Sequence, residues 1–135
     1  MLKYANANEM LMTEFKETRA VFDEGEACLK DFYKDIPHCF YEDALVPYVM
    51  KLLRENRNDE LKKAFSFIEK LFSEGDEDFV DLAGVCIVEP IYYEPDYEEH
   101  REKIYSLCGD LTRQSFDDMD ADDSSGTGCL ISAAV

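Results

Sequence analysis

Positive charge is what this sequence has least of. Its 135 residues carry 14 Lys and Arg against 31 Asp and Glu, a net charge of −17. A surface of that sign repels nucleic-acid phosphates and anionic lipid and attracts basic partners or cations, so direct nucleic-acid binding is disfavoured. Without the five acids Asp117, Asp118, Asp120, Asp122 and Asp123 the body is still acidic. Histidine is scarce as well: with only His38 and His100, most acid-base schemes have few candidates. None of the six glycines stands in GxGxxG or GxxxxGK order, so a phosphate-cradling loop is missing; GxSxG and HExxH are missing too. The five cysteines, Cys28, Cys39, Cys86, Cys108 and Cys129, include no CxxC pair and read as reduced thiols in a cytoplasmic protein. No apolar run approaches the ~20 residues of a membrane helix, and Met1 to Met12 lacks the basic-then-apolar order of a signal peptide. These absences favour a non-enzymatic protein with no cofactor that works away from membranes.

What the sequence does contain is helical periodicity. Apolar content of 46% at this length suffices for one domain with a real core. From Asp59 to Glu74, Leu61, Ala64, Phe65, Ile68, Leu71 and Phe72 recur three and four apart, between Asn58 as N-cap and Gly75 as a left-handed C′ residue. Asp76 caps a following helix, to about Glu89, that is apolar nearly all round and is therefore expected at the centre of the domain. Upstream, helices are expected over Glu9 to Asp23 with Asn8 as cap and Gly25 as end, and over Glu26 to Asp35 with Leu29, Phe32, Tyr33 and Ile36 inward. A short turn from Pro37 to Ala44 and a helix from Pro47 to Asn56 follow, because proline is tolerated in a first helical turn. Downstream, Pro90 to Pro95 reads as a breaker before a helix from Asp96 to Cys108 ended by Gly109. The short polar link Glu55 to Asp59 makes its flanking helices antiparallel, and that arrangement repeats once. The expected fold is all-α: a single compact domain of about six helices in antiparallel pairs, loosely HEAT-like. It spans residues 1–116, with 117–135 as a mobile acidic tail.

Few side chains suggest chemistry. His38, beside Cys39, has no second ligand pair at metal spacing and reads as structural. His100 sits among Glu98, Glu99, Glu102 and Lys103 as a solvated residue. Asp118, Asp120 and Asp122 alternate as in a calcium loop, but Asp123 stands where its glycine belongs and Cys129 where its bidentate Glu belongs, so no metal is expected. A hydrolase that gathers a metal on dispersed carboxylates stays open as an alternative. Acidic surface remains. Asp76, Glu77 and Asp78 lie with Glu74 and Asp81, although helix N-termini gain from such acids without any partner. A second cluster interleaves Glu94, Asp96, Glu98 and Glu99 with Tyr92, Tyr93 and Tyr97, where carboxylates can steer an encounter and tyrosines anchor it. The second is the favoured partner-binding face.

Residues 36–91 carry a further pattern: Ile36, Pro37 and His38 with Phe40 and Tyr41, the acidic pair Glu42 and Asp43, a Pro47-Tyr48 helix start, and Leu52, Leu53, Glu55 and Asn56 at its end. The helical runs Asp59 to Phe72 and Phe79 to Val88 complete it. This pattern resembles a family of small helical bacterial proteins known as a domain of unknown function, with Val46 where the family often has Asn. Similar proteins look like immunity partners encoded beside polymorphic toxins of bacterial competition. The resemblance therefore implies a cytoplasmic immunity protein that binds a cognate basic toxin domain, a nuclease for instance, through an acidic surface. It brings no catalytic residues. The alternative is a helical scaffold or regulatory interaction module unconnected with toxins.

Overall fold

Helix follows helix with little between. The computed structural model describes residues 4–24 and 33–125. A 3-10 turn at Tyr4–Asn6 leads into α1 (Ala7–Glu14), α2 (Lys16–Glu24), α3 (Pro37–Arg54), α4 (Asn58–Glu74) and α5 (Glu77–Ala83). A π-helical segment (Gly84–Val88), α6 (Glu89–Tyr92), α7 (Tyr97–Leu107) and α8 (Asp110–Ser125) complete the described chain. The fold is all-α and forms one domain, as expected. None of these helices is long and apolar enough to cross a membrane.

The centre is α3, which packs on α1, α2, α4, the π segment and α6. Phe40, Tyr41, Ala44, Leu45, Val46, Val49, Met50, Leu52 and Leu53 are all buried, a set too broad for one amphipathic stripe. The break expected between Ala44 and Pro47 does not occur, and Pro47 sits inside an unbroken helix of 18 residues. Its missing N–H and crowded ring cost about 3 kcal/mol. Burying large apolar side chains at about 1.5–3 kcal/mol each outweighs that.

The helix expected at the centre, Asp76 to about Glu89, runs over residues 77–92 and buries one side only: Phe79, Leu82, Ala83, Cys86, Ile87 and Val88 face inward, while Val80 is 39% and Val85 49% exposed. Pro90 is no breaker either. It lies in α6, directly after the π segment in which Glu89 N–H reaches back to the Gly84 carbonyl. A widened turn there relieves the crowding a proline ring imposes on the preceding turn.

Elsewhere the chain bends at a point without glycine or proline. The expected helix Glu9 to Asp23 divides at Phe15, whose extended backbone (φ −128°, ψ 93°) turns its ring onto Tyr48 and Phe67. Buried Thr18 donates from both N–H (2.9 Å) and Oγ1 (2.6 Å) to the Phe15 carbonyl, restarting the helix. Asn8 lies inside α1 and donates from Nδ2 to the Tyr33 carbonyl at 2.9 Å. Residues 33–35 are helical with Tyr33 buried, but Ile36 is exposed, because the chain changes direction into Pro37. Gly25, Leu29, Phe32 and Cys28 lie outside the described residues.

The α3–α4 hairpin closes through Asn56, at φ 55°. Its N–H donates to the Leu53 carbonyl (3.3 Å) and that of Arg57 to the Leu52 carbonyl (3.0 Å), the paired bonds of a helix end with a left-handed residue. Gly75 plays no such part: its φ of −77° and ψ of 156° are extended. What it provides is space, since a Cβ there would lie 2.4 Å from the Leu71 carbonyl oxygen and 2.5 Å from Phe79 Cβ. The second expected hairpin packs differently. Helix 77–92 finds its main partners in α3, α4 and α8, and α7 leans on α4, so the HEAT-like succession stops after one pair.

The reason is α8, which covers the side that α7 was expected to cover and extends past the expected boundary at Phe116 as far as Ser125. Asp117 Oδ1 accepts from Tyr105 Oη (2.8 Å) and Asp120 Oδ1 from Tyr92 Oη (3.0 Å), and Arg101 also holds Asp120. Asp118, Asp120 and Asp122 are therefore helical and form no calcium loop. Residues 126–135, with Cys129, lie outside the described residues. At its other end α8 is capped from α4. Glu69 accepts from Leu111 N (3.2 Å), Thr112 N (2.9 Å) and Thr112 Oγ1 (2.8 Å), and Gly109 leaves room for that carboxylate.

Candidate partner-binding surface

The two acidic clusters lie at opposite ends of helix 77–92, about 22 Å apart at 1.5 Å per residue. At the C-terminal end most of the acids are occupied. Arg54, in the last turn of α3, donates from Nε to Asp96 Oδ2 and from Nη2 to Asp96 Oδ1, both at 2.9 Å, and lies 3.8 Å from Glu94. His100 Nε2 stands 3.2 Å from the same Asp96 carboxylate and 3.9 Å from Glu99. Arg101 is 3.5 Å from Glu98. The hydrogen bonds from Arg54 hold the Asp96 carboxyl well below the usual carboxylate range. Ligand atoms of Asp96, Glu99 and His100 lie within 4.8 Å of one another, but the guanidinium clamped on Asp96 opposes a cation there.

The tyrosines of this cluster also turn inward. Tyr97 is 2% exposed and stacks on Phe116 with ring centroids 5.8 Å apart. Its hydroxyl meets no partner among the described residues, and burial pushes the phenol up to about 12. Tyr92 is half-buried, its ring against Tyr93 and Tyr97. Of this cluster Tyr93, Glu98 and Glu99 are exposed, the last two beside Arg101 and His100. The favoured face thus loses Asp96, Tyr97 and much of Tyr92 to internal bonding and packing. His100, expected in solvent, is mostly covered.

The N-terminal end differs. Asp76 caps α5, Oδ1 accepting from Phe79 N at 3.1 Å, while Oδ2 accepts from Tyr4 N at 3.2 Å. Beyond the cap, Glu77, Asp78 and Asp81 are exposed. Among the described residues, every Lys and Arg ion pair falls on other acids. The facing base is His38, in the first turn of α3, with Nε2 3.0 Å from Asp81 Oδ2 and Nδ1 2.6 Å from Tyr4 Oη. Burial raises the Tyr4 phenol, which is placed to donate to Nδ1 in the tautomer protonated at Nε2. The imidazole then presents its own N–H to Asp81. This chain ties the N-terminal turn, α3 and α5 together and borders an open depression of about 730 Å³ lined by Gly75, Asp76, Glu77, Asp78, Val80 and Asp81. No sequence spacing announces it, because its members lie 34 and 43 residues apart.

The buried thiols are quiet. Burial pushes Cys86 and Cys108 up to about 12, and half-buried Cys39 is raised for the same reason.

No curated protein and no solved structure matches the chain. A family match does, and it covers residues 8–121, well beyond the segment 36–91 that carries the sequence resemblance, taking in α1, α2 and most of α8. The chain belongs to the family described as Domain of unknown function (DUF7674).

Proposed function

We propose that this chain is an immunity protein: an acidic helical module that binds a cognate basic toxin domain, such as a nuclease, and blocks its substrate cleft. The observation that carries this reading is the N-terminal end of α5, where Glu77, Asp78 and Asp81 face solvent with no Lys or Arg ion pair among the described residues. Charge left unpaired inside the molecule is charge available outside it. A nuclease cleft must attract phosphates and so is basic, and an acidic inhibitor is drawn to it fast and with the right orientation. A net charge of −17 extends that attraction beyond contact range, and the sequence resemblance to immunity partners supports a toxin as the basic protein bound. On this reading the chain is a cytoplasmic binder and performs no reaction of its own.

The test is co-expression with the basic domain encoded beside it. That domain alone is expected to arrest growth, and this chain to restore it. A harmless neighbour, or an arrest that the chain does not relieve, would overturn the reading and leave a helical scaffold or regulatory module.

A further inference from the structure

Among the described residues, nothing packed at Gly84 requires a glycine. Gly75 and Gly109 make room for Leu71, Phe79 and Glu69, but a Cβ at Gly84 would meet nothing within 4 Å. Its φ of −70° and ψ of −50° are ordinary right-handed helix, open to any residue. Inside a helix glycine costs about 0.5–1 kcal/mol relative to alanine, so this position bears a cost that the fold does not require. A half-buried glycine with open space where its Cβ would be suits the close approach of something from outside.

The residues around it describe what could approach. At about 100° per residue, Glu77, Val80, Asp81 and Val85 fall on the same side of the helix as Gly84. All four are exposed. The two valines supply apolar contact, the two carboxylates flank it, and among the described residues His38 is the base that faces them. The π segment starts at Gly84 itself, and such widened turns are frequent at functional sites.

We infer that the helix face around Gly84 receives a helix of the basic partner, packed close against the glycine. Its small apolar side chains rest on Val80 and Val85, and its Lys or Arg residues pair with Glu77 and Asp81. The inference rests on the reading of the chain as an acidic binder and adds to it the surface and the partner's chemistry.

The test is an NMR titration of the full chain with a synthetic amphipathic helical peptide of Ala, Leu and Lys. Amide shifts are expected at Val80, Asp81, Gly84 and Val85, and Gly84→Phe is expected to weaken binding at least tenfold. Tyr93→Ala, at the other end of the helix, is expected to leave affinity within twofold. Gly84→Ala is expected to melt no lower than the wild type while binding more weakly, which separates the docking role from folding. Failure to bind, shifts centred elsewhere, or an affinity that Gly84→Phe leaves unchanged would each overturn the inference. The co-expression assay reports independently. Growth rescue without peptide contact at Gly84 would sink this surface and leave the immunity reading, and contact without rescue would do the reverse.

Discussion

The two ends of helix 77–92 are alike in composition and opposite in electrostatics. Both are rich in Asp and Glu, yet at one end Arg54 and Arg101 are folded onto the acids, and at the other, among the described residues, Glu77, Asp78 and Asp81 meet no Lys or Arg and Asp81 faces an imidazole. Arg54 lies 42 residues from Asp96, so nothing local foretells the pairing. Whether an acidic stretch can serve a partner depends on where the cations of distant segments come to rest. The end with more tyrosine, which looked better suited to binding, spends its acids and rings on holding α7 and α8.

The comparison breaks most decisively if the free end is not rigidly backed. Phe79 lies beneath it, fully buried, with its ring 5.9 Å from that of Tyr4 and 6.5 Å from that of Tyr41. Phe79→Ala is expected to cost about 3–5 kcal/mol in urea unfolding, and a loss under about 1 kcal/mol would show a soft foundation. Next in size is the charge contrast itself. Reversing Glu77 and Asp81 to Lys is expected to slow association with a basic partner about tenfold at low salt, an effect that fades as the screening length drops from about 10 Å at 0.1 M to about 3 Å at 1 M. Reversing Glu98 and Glu99 should do clearly less in the same stopped-flow measurement, and equal effects would erase the distinction.

Smaller effects sharpen the occupied end. Tyr97→Phe removes a buried hydroxyl without a partner among the described residues and is expected to raise stability by about 1 kcal/mol; a lower melting temperature would mean that the hydroxyl is bonded after all. Asp96 is held below the usual range, so its contribution to stability is present above the unfolded value near ~3.9 and is lost as pH falls through the folded one. Arg54→Ala should move the carboxyl titration upward, seen by NMR, and flatten the stability curve over that acidic window; an unmoved titration would show that the clamp does not govern it. Least in magnitude is a difference in labelling. A thiol reagent at neutral pH is expected to reach half-buried Cys39 before the more deeply buried Cys86 and Cys108, as a peptide-mapping time course would show.

Helix content and much of the core were legible from spacing. The run Asp59 to Glu74 lies within one residue of α4, and Asp76 makes the capping bond assigned to it. Local signals failed where burial overrode them: Pro47 and Pro90 read as boundaries and proved to be helix interior, and Gly75 read as a left-handed cap and proved to be a point of close packing. The candidate surface was half legible. Its acids stand out in sequence, but the clamp on Asp96, the burial of Tyr97 and the Tyr4–His38–Asp81 chain exist only once remote segments meet.

The cap that Glu69 places on α8 makes one helix depend on another far away in sequence. A helix usually carries its own starting signal in its first residues. The signal for this one is lodged in α4, some forty residues earlier. The backbone donors at the start of α8 find this acceptor only where α4 lies beside them, so a substitution at Glu69 would act on α8 rather than on its own helix.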